Sequence, residues 1–271
     1  MKIKHFIIIR FLCTPNLGFG EKIYDKDFIF DNIHITCKYL LPSLQNQSND
    51  NFEIIYELND KHDTKLMSSY FNENIVFKKF KFKNVIFLRT CEINDYISNN
   101  IKYYDFLITT RIDCDDLIYK YAVDDIQNFI KNKTTHYKQY LCGYQYGFKM
   151  YNDKDLYVCD YCHPTGFIAI FMSLISDLRF NNLKIKNVCN LGMHNRLILN
   201  FKERCTDVND DCVIYFDNSE HRSFIYNKYE TSSSSVQRHG CTEKTSFDKE
   251  QFIYDEQFKL KFKDYFGFEL K

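Results

Sequence analysis

Residues Tyr104–Asp116 read YDFLITTRIDCDD, an apolar run that ends abruptly in three carboxylates. Phe106, Leu107 and Ile108, bounded by polar residues, have the pattern of a strand buried in an α/β sheet. Such sheets bind ligands beyond the carboxyl ends of their strands. Asp113, Asp115 and Asp116 therefore fall where a ligand is expected. Carboxylates this close repel one another and are costly to bury unpaired. A divalent cation relieves that cost, and Mg²⁺ favours one or two carboxylates plus substrate phosphate oxygens. The i, i+2 spacing of Asp113 and Asp115 places both on one side of an extended chain. A polar turn after a strand would use the same residues.

Working outward, strand-like and helical patterns alternate. His5–Phe11, HFIIIRF, reads as a first strand, and a loop with Thr14, Pro15 and Gly18 follows. Ile33–Leu41 reads as a helix that Pro42 stops. Phe52–Leu58, FEIIYEL, is a second strand, Thr64–Tyr70 a short helix and Ile75–Phe82 a third strand. Glu92–Asn100 is helical, Tyr104–Ile112 is the strand that meets the acids, and Tyr119–Ile130 has apolar residues at helical spacing. Gln139–Met150 and Asp155–Cys159 read as strands of a hairpin-like excursion. A turn at His163–Gly166 leads to an apolar helix over Phe167–Leu178. Ser232–Ser235 is a flexible loop, and Glu256–Phe266 a final amphipathic helix. Alternation of this kind points to a mostly parallel central sheet.

The chain has 271 residues, enough for one large α/β domain. Lys+Arg and Asp+Glu both number 36, so net charge is zero and nucleic-acid binding by bulk charge is disfavoured. Trp is absent, and Gly and Pro are scarce beside abundant Phe, Tyr, Ile, Asn and Lys. These biases follow A/T-rich codons, so the aromatic content is no sign of a stacking platform. No apolar run approaches a membrane span, and Arg10 interrupts the first one, which is too short for a signal-peptide core. The 11 cysteines are odd in number and scattered, which suits reduced thiols and a cytoplasmic location. Cys159 and Cys162, with His163, have the spacing of haem attachment, or of half a zinc site that Cys142 or Cys189 would complete.

Other stretches are more particular. They are Ile8-Ile9-Arg10-Phe11, Pro42-Ser43-Leu44 before Gln47, Asn51–Ile55, Thr109–Asp116, and Gln237-Arg238-His239-Gly240. In this order the chain resembles the rhamnosyltransferase family of GT-A glycosyltransferases, of the family 2 type. Cys241 follows His239-Gly240 where that family has Asn. The resemblance implies a Rossmann-like GT-A domain over residues 1–271. Its nucleotide-sugar half would span 1–118, its acceptor half 119–240, and a helical tail 241–271. It implies a metal-dependent transfer of a sugar, rhamnose or another deoxyhexose, from a nucleoside-diphosphate donor to a hydroxyl of a glycan or other acceptor, with inversion.

Carried onto this chain, Asp113 would contact the ribose or sugar and share in metal binding. Asp115 would hold Mn²⁺ or Mg²⁺, Asp116 would support the donor, and His239 would be a further metal ligand. Asp60 would accept from the base. Arg10, Arg89 and Arg111 lie at strand ends and suit bidentate phosphate contact; salt bridges to nearby acids are their other use. Asp160, His163 and His194 are the candidates for the general base that an inverting transferase needs. Two other classes use the same acids: a metal-dependent phosphohydrolase or nuclease, and a nucleotide-sugar-binding module with a degraded active site.

Overall fold

In β1 every side chain from His5 to Ile9 is buried, on both faces of the strand, so this strand needs cover from two sides. The computed structural model describes residues 1–13, 20–132, 137–152, 156–162, 170–180, 183–192, 196–205, 207–216, 222–229 and 256–269. Its strands are β1 (Ile3–Arg10), β2 (Glu53–Leu58), β3 (Val85–Arg89), β4 (Phe106–Asp113), β5 (Leu117–Ile118) and β6 (Gln139–Gly143), then β7 (Tyr146–Asn152), β8 (Leu156–Cys162), β9 (Met172–Asp177), β10 (Val213–Tyr215) and β11 (Phe224–Tyr229). The helices are α1 (Lys26–Lys38), α2 (Leu40–Gln45), α3 (Thr64–Glu73), α4 (Ile93–Asn99), α5 (Ala122–Asn132), α6 (Leu197–Arg204) and α7 (Glu256–Phe266).

Seven strands form the central sheet in the order β10-β6-β9-β4-β1-β2-β3, with β9 antiparallel to both its neighbours and the remaining pairings parallel. The expected α/β architecture, a mostly parallel sheet flanked by helices, is what the chain adopts. Alternation along β1 divides the core. Ile7 and Ile9 face the larger cluster, which takes in α1, α2, α3 and α5, while Phe6 and Ile8 meet Ile93 and Ile97 of α4. A second sheet, β5-β11-β7-β8, packs onto the larger cluster through Leu117, Ile118, Met150, Phe224 and Ile225. The C-terminal helix closes this side. Phe262 and Phe266 are buried, roughly 1.5–3 kcal/mol each, and Gly267 turns the chain at φ 66° where a Cβ would lie 2.7 Å from the Pro42 carbonyl.

Three elements depart from the sequence reading. Pro42 does not stop a helix: α1 ends at Lys38, and Pro42 lies in the first turn of α2, where its missing N–H costs nothing. The third strand is Val85–Arg89, not Ile75–Phe82. Asn74 accepts from the N–H groups of Val76 and Phe77 and bends the chain into a single turn at Phe77–Lys79, leaving Ile75 75% exposed. Met172–Asp177 is a strand where a helix over Phe167–Leu178 is the sequence expectation. An apolar run alone cannot separate a buried strand from a buried helix, and here β4 and β6 supply hydrogen bonds on both sides. The proposed hairpin-like excursion also divides. β6 joins the central sheet, while β7 and β8 pair in the second. Residues 163–166 and 232–235 lie outside the described residues.

A polar thread runs through the sheet. His5 Nε2 lies 2.7 Å from Thr110 Oγ1, Thr110 is 2.6 Å from Ser173 Oγ, and the Gln127 side-chain amide reaches His5 Nδ1 at 3.3 Å. A neutral imidazole satisfies this chain, and burial lowers the His5 pKa from 6.5 to about 3. The unfolded chain therefore takes up a proton below about pH 6.5 that the folded one refuses. The contribution of His5 is complete above that pH and is lost as pH falls towards 3. At about pH 4.5 the loss is on the order of 2–3 kcal/mol. We expect His5→Gln to flatten the fall in urea midpoint between neutral and acid pH; an unaltered slope would show that His5 is not responsible.

Gly147 of β7 gives a second expectation. A Cβ there would meet the Phe224 ring at 2.4 Å and its carbonyl oxygen at 2.6 Å, so β11 would have to move. Gly147→Ala should destabilise by about 2 kcal/mol, read as a lower denaturation midpoint.

Candidate active site

Parallel pairing in register brings the strand ends to one edge. Arg10, the last residue of β1, lies opposite Asp113, the last of β4, and opposite Glu57 on its other side. Leu58 of β2 lies opposite Arg89, the last of β3. The chain has therefore collected Arg10, Glu57, Arg89 and Asp113 at the carboxyl edge of four neighbouring strands, where α/β sheets place their ligands.

Asp113 is the meeting point. Its Oδ1 is 3.8 Å from Arg10 Nη1 and 3.8 Å from Arg111 Nη2, and a third of its side chain is exposed. Arg111 is buried and donates from Nη1 to the Gly192 carbonyl at 2.9 Å, which ties β4 to the turn at Val188–Leu191. Arg10 also lies 3.9 Å, through Nε, from Glu57 Oε2. Burial works against its charge, but Asp113 and its other anionic neighbours, Glu57 among them, outweigh that and raise its pKa. The guanidinium stays charged at any working pH.

The turn after β4 separates the other two acids. Asp115 is partly exposed beside Asp113, whereas Asp116 is 1% exposed and its N–H reaches back to the Asp113 carbonyl. Cys114 lies among all three. Burial first, then the charges of Asp115, Asp113 and Asp116, push its thiol well above the usual range. Arg111, Arg10 and Asp113 are thus brought together, Asp115 stays partly exposed in the turn that follows, and Asp116 is enclosed.

At the β2 and β3 ends the predicted residues serve local contacts. Asp60 is exposed and accepts the Cys91 N–H at 2.9 Å, joining the two strand-end loops. Arg89 pairs with Glu92, whose carboxylate also accepts the Arg89 N–H. Next to Asp60, Tyr24 donates to Asn59 at 2.8 Å and its ring centroid is 4.9 Å from that of His62.

Two site residues were not among those picked from the sequence. Glu57 is 5% exposed, and its Oε1 accepts a hydrogen bond from Thr90 at 3.1 Å. The signal for Glu57 is a charge inside the otherwise apolar strand EIIYEL. Thr90 carries no such signal, because only the β2–β3 pairing makes it a neighbour. His163, His194 and His239 lie outside the described residues, as do the side chains of Asp160, Cys159 and Cys162. Asp160 itself is in β8, paired with Phe148. Cys142 is buried in β6, and Cys189 lies near Arg10 and Arg111. Among the described residues no group of three or more His, Cys, Asp or Glu side chains is placed to hold a metal, and no helix is long and apolar enough to cross a membrane.

No protein-family model matches the chain, and no curated protein matches it. Among solved structures it is similar to S. aureus TarS at 13% identity and a TM-score of 0.39, over 84% of this chain and 37% of that one. It is also similar to mouse xyloside xylosyltransferase 1 in its apo form, at 8% identity and a TM-score of 0.30, over 53% of each chain. The chain thus spans about a third of the first protein's length and about half of the second's.

Proposed function

We propose that this chain is a metal-dependent GT-A glycosyltransferase that moves a sugar from a nucleoside-diphosphate donor to an acceptor hydroxyl, with inversion. The observation that carries the reading is the in-register meeting of Arg10 and Asp113 at the carboxyl edge of the parallel strands. It gathers two arginines around the partly exposed Asp113 carboxylate, with the partly exposed Asp115 two residues on, a charge pattern that a metal-bridged diphosphate complements.

The donor set fits a hard divalent cation. Asp113 and Asp115 offer carboxylate oxygens at the strand end, and Mg²⁺ or Mn²⁺ in phosphate-transfer sites takes one or two such groups and completes its shell with phosphate and water. Asp115 and Asp113 would hold it, and His239 is a further candidate ligand. When bound, the cation offsets charge that develops on the departing nucleoside diphosphate. Arg10 would bind and orient the phosphates with forked N–H donors, Arg111, buried and tied to the Gly192 carbonyl, is the further candidate, and Asp60 is the candidate acceptor for the base. Asp160, His163 and His194 are the candidates for taking the acceptor's hydroxyl proton. A deoxyhexose such as rhamnose is the donor sugar suggested by the sequence resemblance.

Thermal unfolding with a panel of nucleoside diphosphates, with and without Mn²⁺, tests this. The two together should stabilise the protein by about 2.7 kcal/mol at one hundred times the dissociation constant. Asp115→Asn should lose the Mn²⁺-dependent part while keeping the unliganded melting temperature. A variant that still responds to Mn²⁺ as the parent does would remove Asp115 from the site.

A further inference from the structure

We propose that Glu57 is a positioning residue for the diphosphate site and acts through Arg10. The inference rests on the nucleotide-sugar reading above and deepens it. Arg10 stands between carboxylates on the two strands that flank it: Glu57 Oε2 is 3.9 Å from Nε, and Asp113 Oδ1 is 3.8 Å from Nη1. The two acids differ in setting. Asp113 is partly open, whereas Glu57 is buried, with Oε1 fixed by the Thr90 hydroxyl and Oε2 making no hydrogen bond. A buried carboxylate needs a counter-charge, and among the described residues Arg10 is the ion-pair partner of Glu57.

The consequence lies in what Arg10 does when Asp113 turns to a cation. With Asp113 holding a cation, that carboxylate's charge would no longer be fully available to the guanidinium. Glu57 remains, holding the Nε side of the fork, so the Nη donors are left aimed at the edge where phosphate oxygens would lie. Without the Glu57 charge, Arg10 still faces Asp113 and competes with the cation for it. A mere neighbouring anion would do the opposite. A carboxylate close to a diphosphate repels it, so its neutralisation should tighten binding.

The test is calorimetric titration of inorganic pyrophosphate in the presence of Mn²⁺. The proteins are the parent chain, Glu57→Gln, Arg10→Ala and the double variant, each with its unfolding midpoint measured. Glu57→Gln should weaken binding about tenfold, within the usual coupling between contacting residues. In the Arg10→Ala background the same change should have no further effect. Thr90→Val, which keeps the charge and removes its anchor, should weaken binding in the same direction by less, and it decides the matter if Glu57→Gln does not fold. Equal or tighter binding by Glu57→Gln, or an added loss in the Arg10→Ala background, would overturn the proposal while leaving the nucleotide-sugar reading in place. A parent chain that binds no pyrophosphate with Mn²⁺ would overturn both.

Discussion

The contact between Arg10 and Asp113 depends on the parallel pairing of β1 with β4. In that pairing Ile3 lies opposite Phe106, and the register runs without interruption to Arg10 and Asp113. Parallel strands that start level also end level, so each delivers its last side chain to the same edge. A shift of one residue would turn Asp113 to the opposite face and part His5 from Thr110. β1 and β4 are buried on both faces, and the polar contacts within them, His5 with Thr110 and Arg10 with Asp113, are met in this register. Burial of the central strands thus fixes where the charges meet.

Those charges are compatible with the core only because they are shared. Arg111 is buried, yet it meets the Gly192 carbonyl and lies near Asp113; Glu57 is buried, yet it accepts from Thr90 and lies near Arg10. Removing one member of such a set strands another, which costs far more than a surface pair is worth. The same economy governs the neutral thread of His5, Thr110, Ser173 and Gln127 on the inner part of β1 and β4. Polar groups within this sheet are tolerated where a neighbouring strand or helix answers them.

Several elements were legible because local chemistry and tertiary context agree. Asp63 caps α3 by accepting from Lys65 and Leu66, and the helix begins where the pattern places it. The final helix occupies Glu256–Phe266 as read, with Phe262 and Phe266, one turn apart, facing the core. Disagreement arose where local signals were ambiguous. The segment from Ile75 to Phe82 alternates like a strand, but its lysines and the Asn74 turn suit a surface connection, and β2 pairs with Val85–Arg89 instead. Met172–Asp177 is buried throughout, and only the open hydrogen-bonding edges of β4 and β6 make it a strand.

By itself the sequence determined the α/β class, the strand that ends in Asp113, the acidic turn after it, and arginines in or beside strand ends. Each is written in residues adjacent along the chain: an apolar run, a spacing of two, a charge at a boundary. Tertiary structure alone decided which charges face one another. Arg10, Glu57 and Asp113 stand far apart in sequence, and only the order and register of β2, β1 and β4 make them neighbours. It also decided that Asp113 and Asp115 are partly open while Asp116 is enclosed, since burial depends on what the rest of the chain lays over a turn.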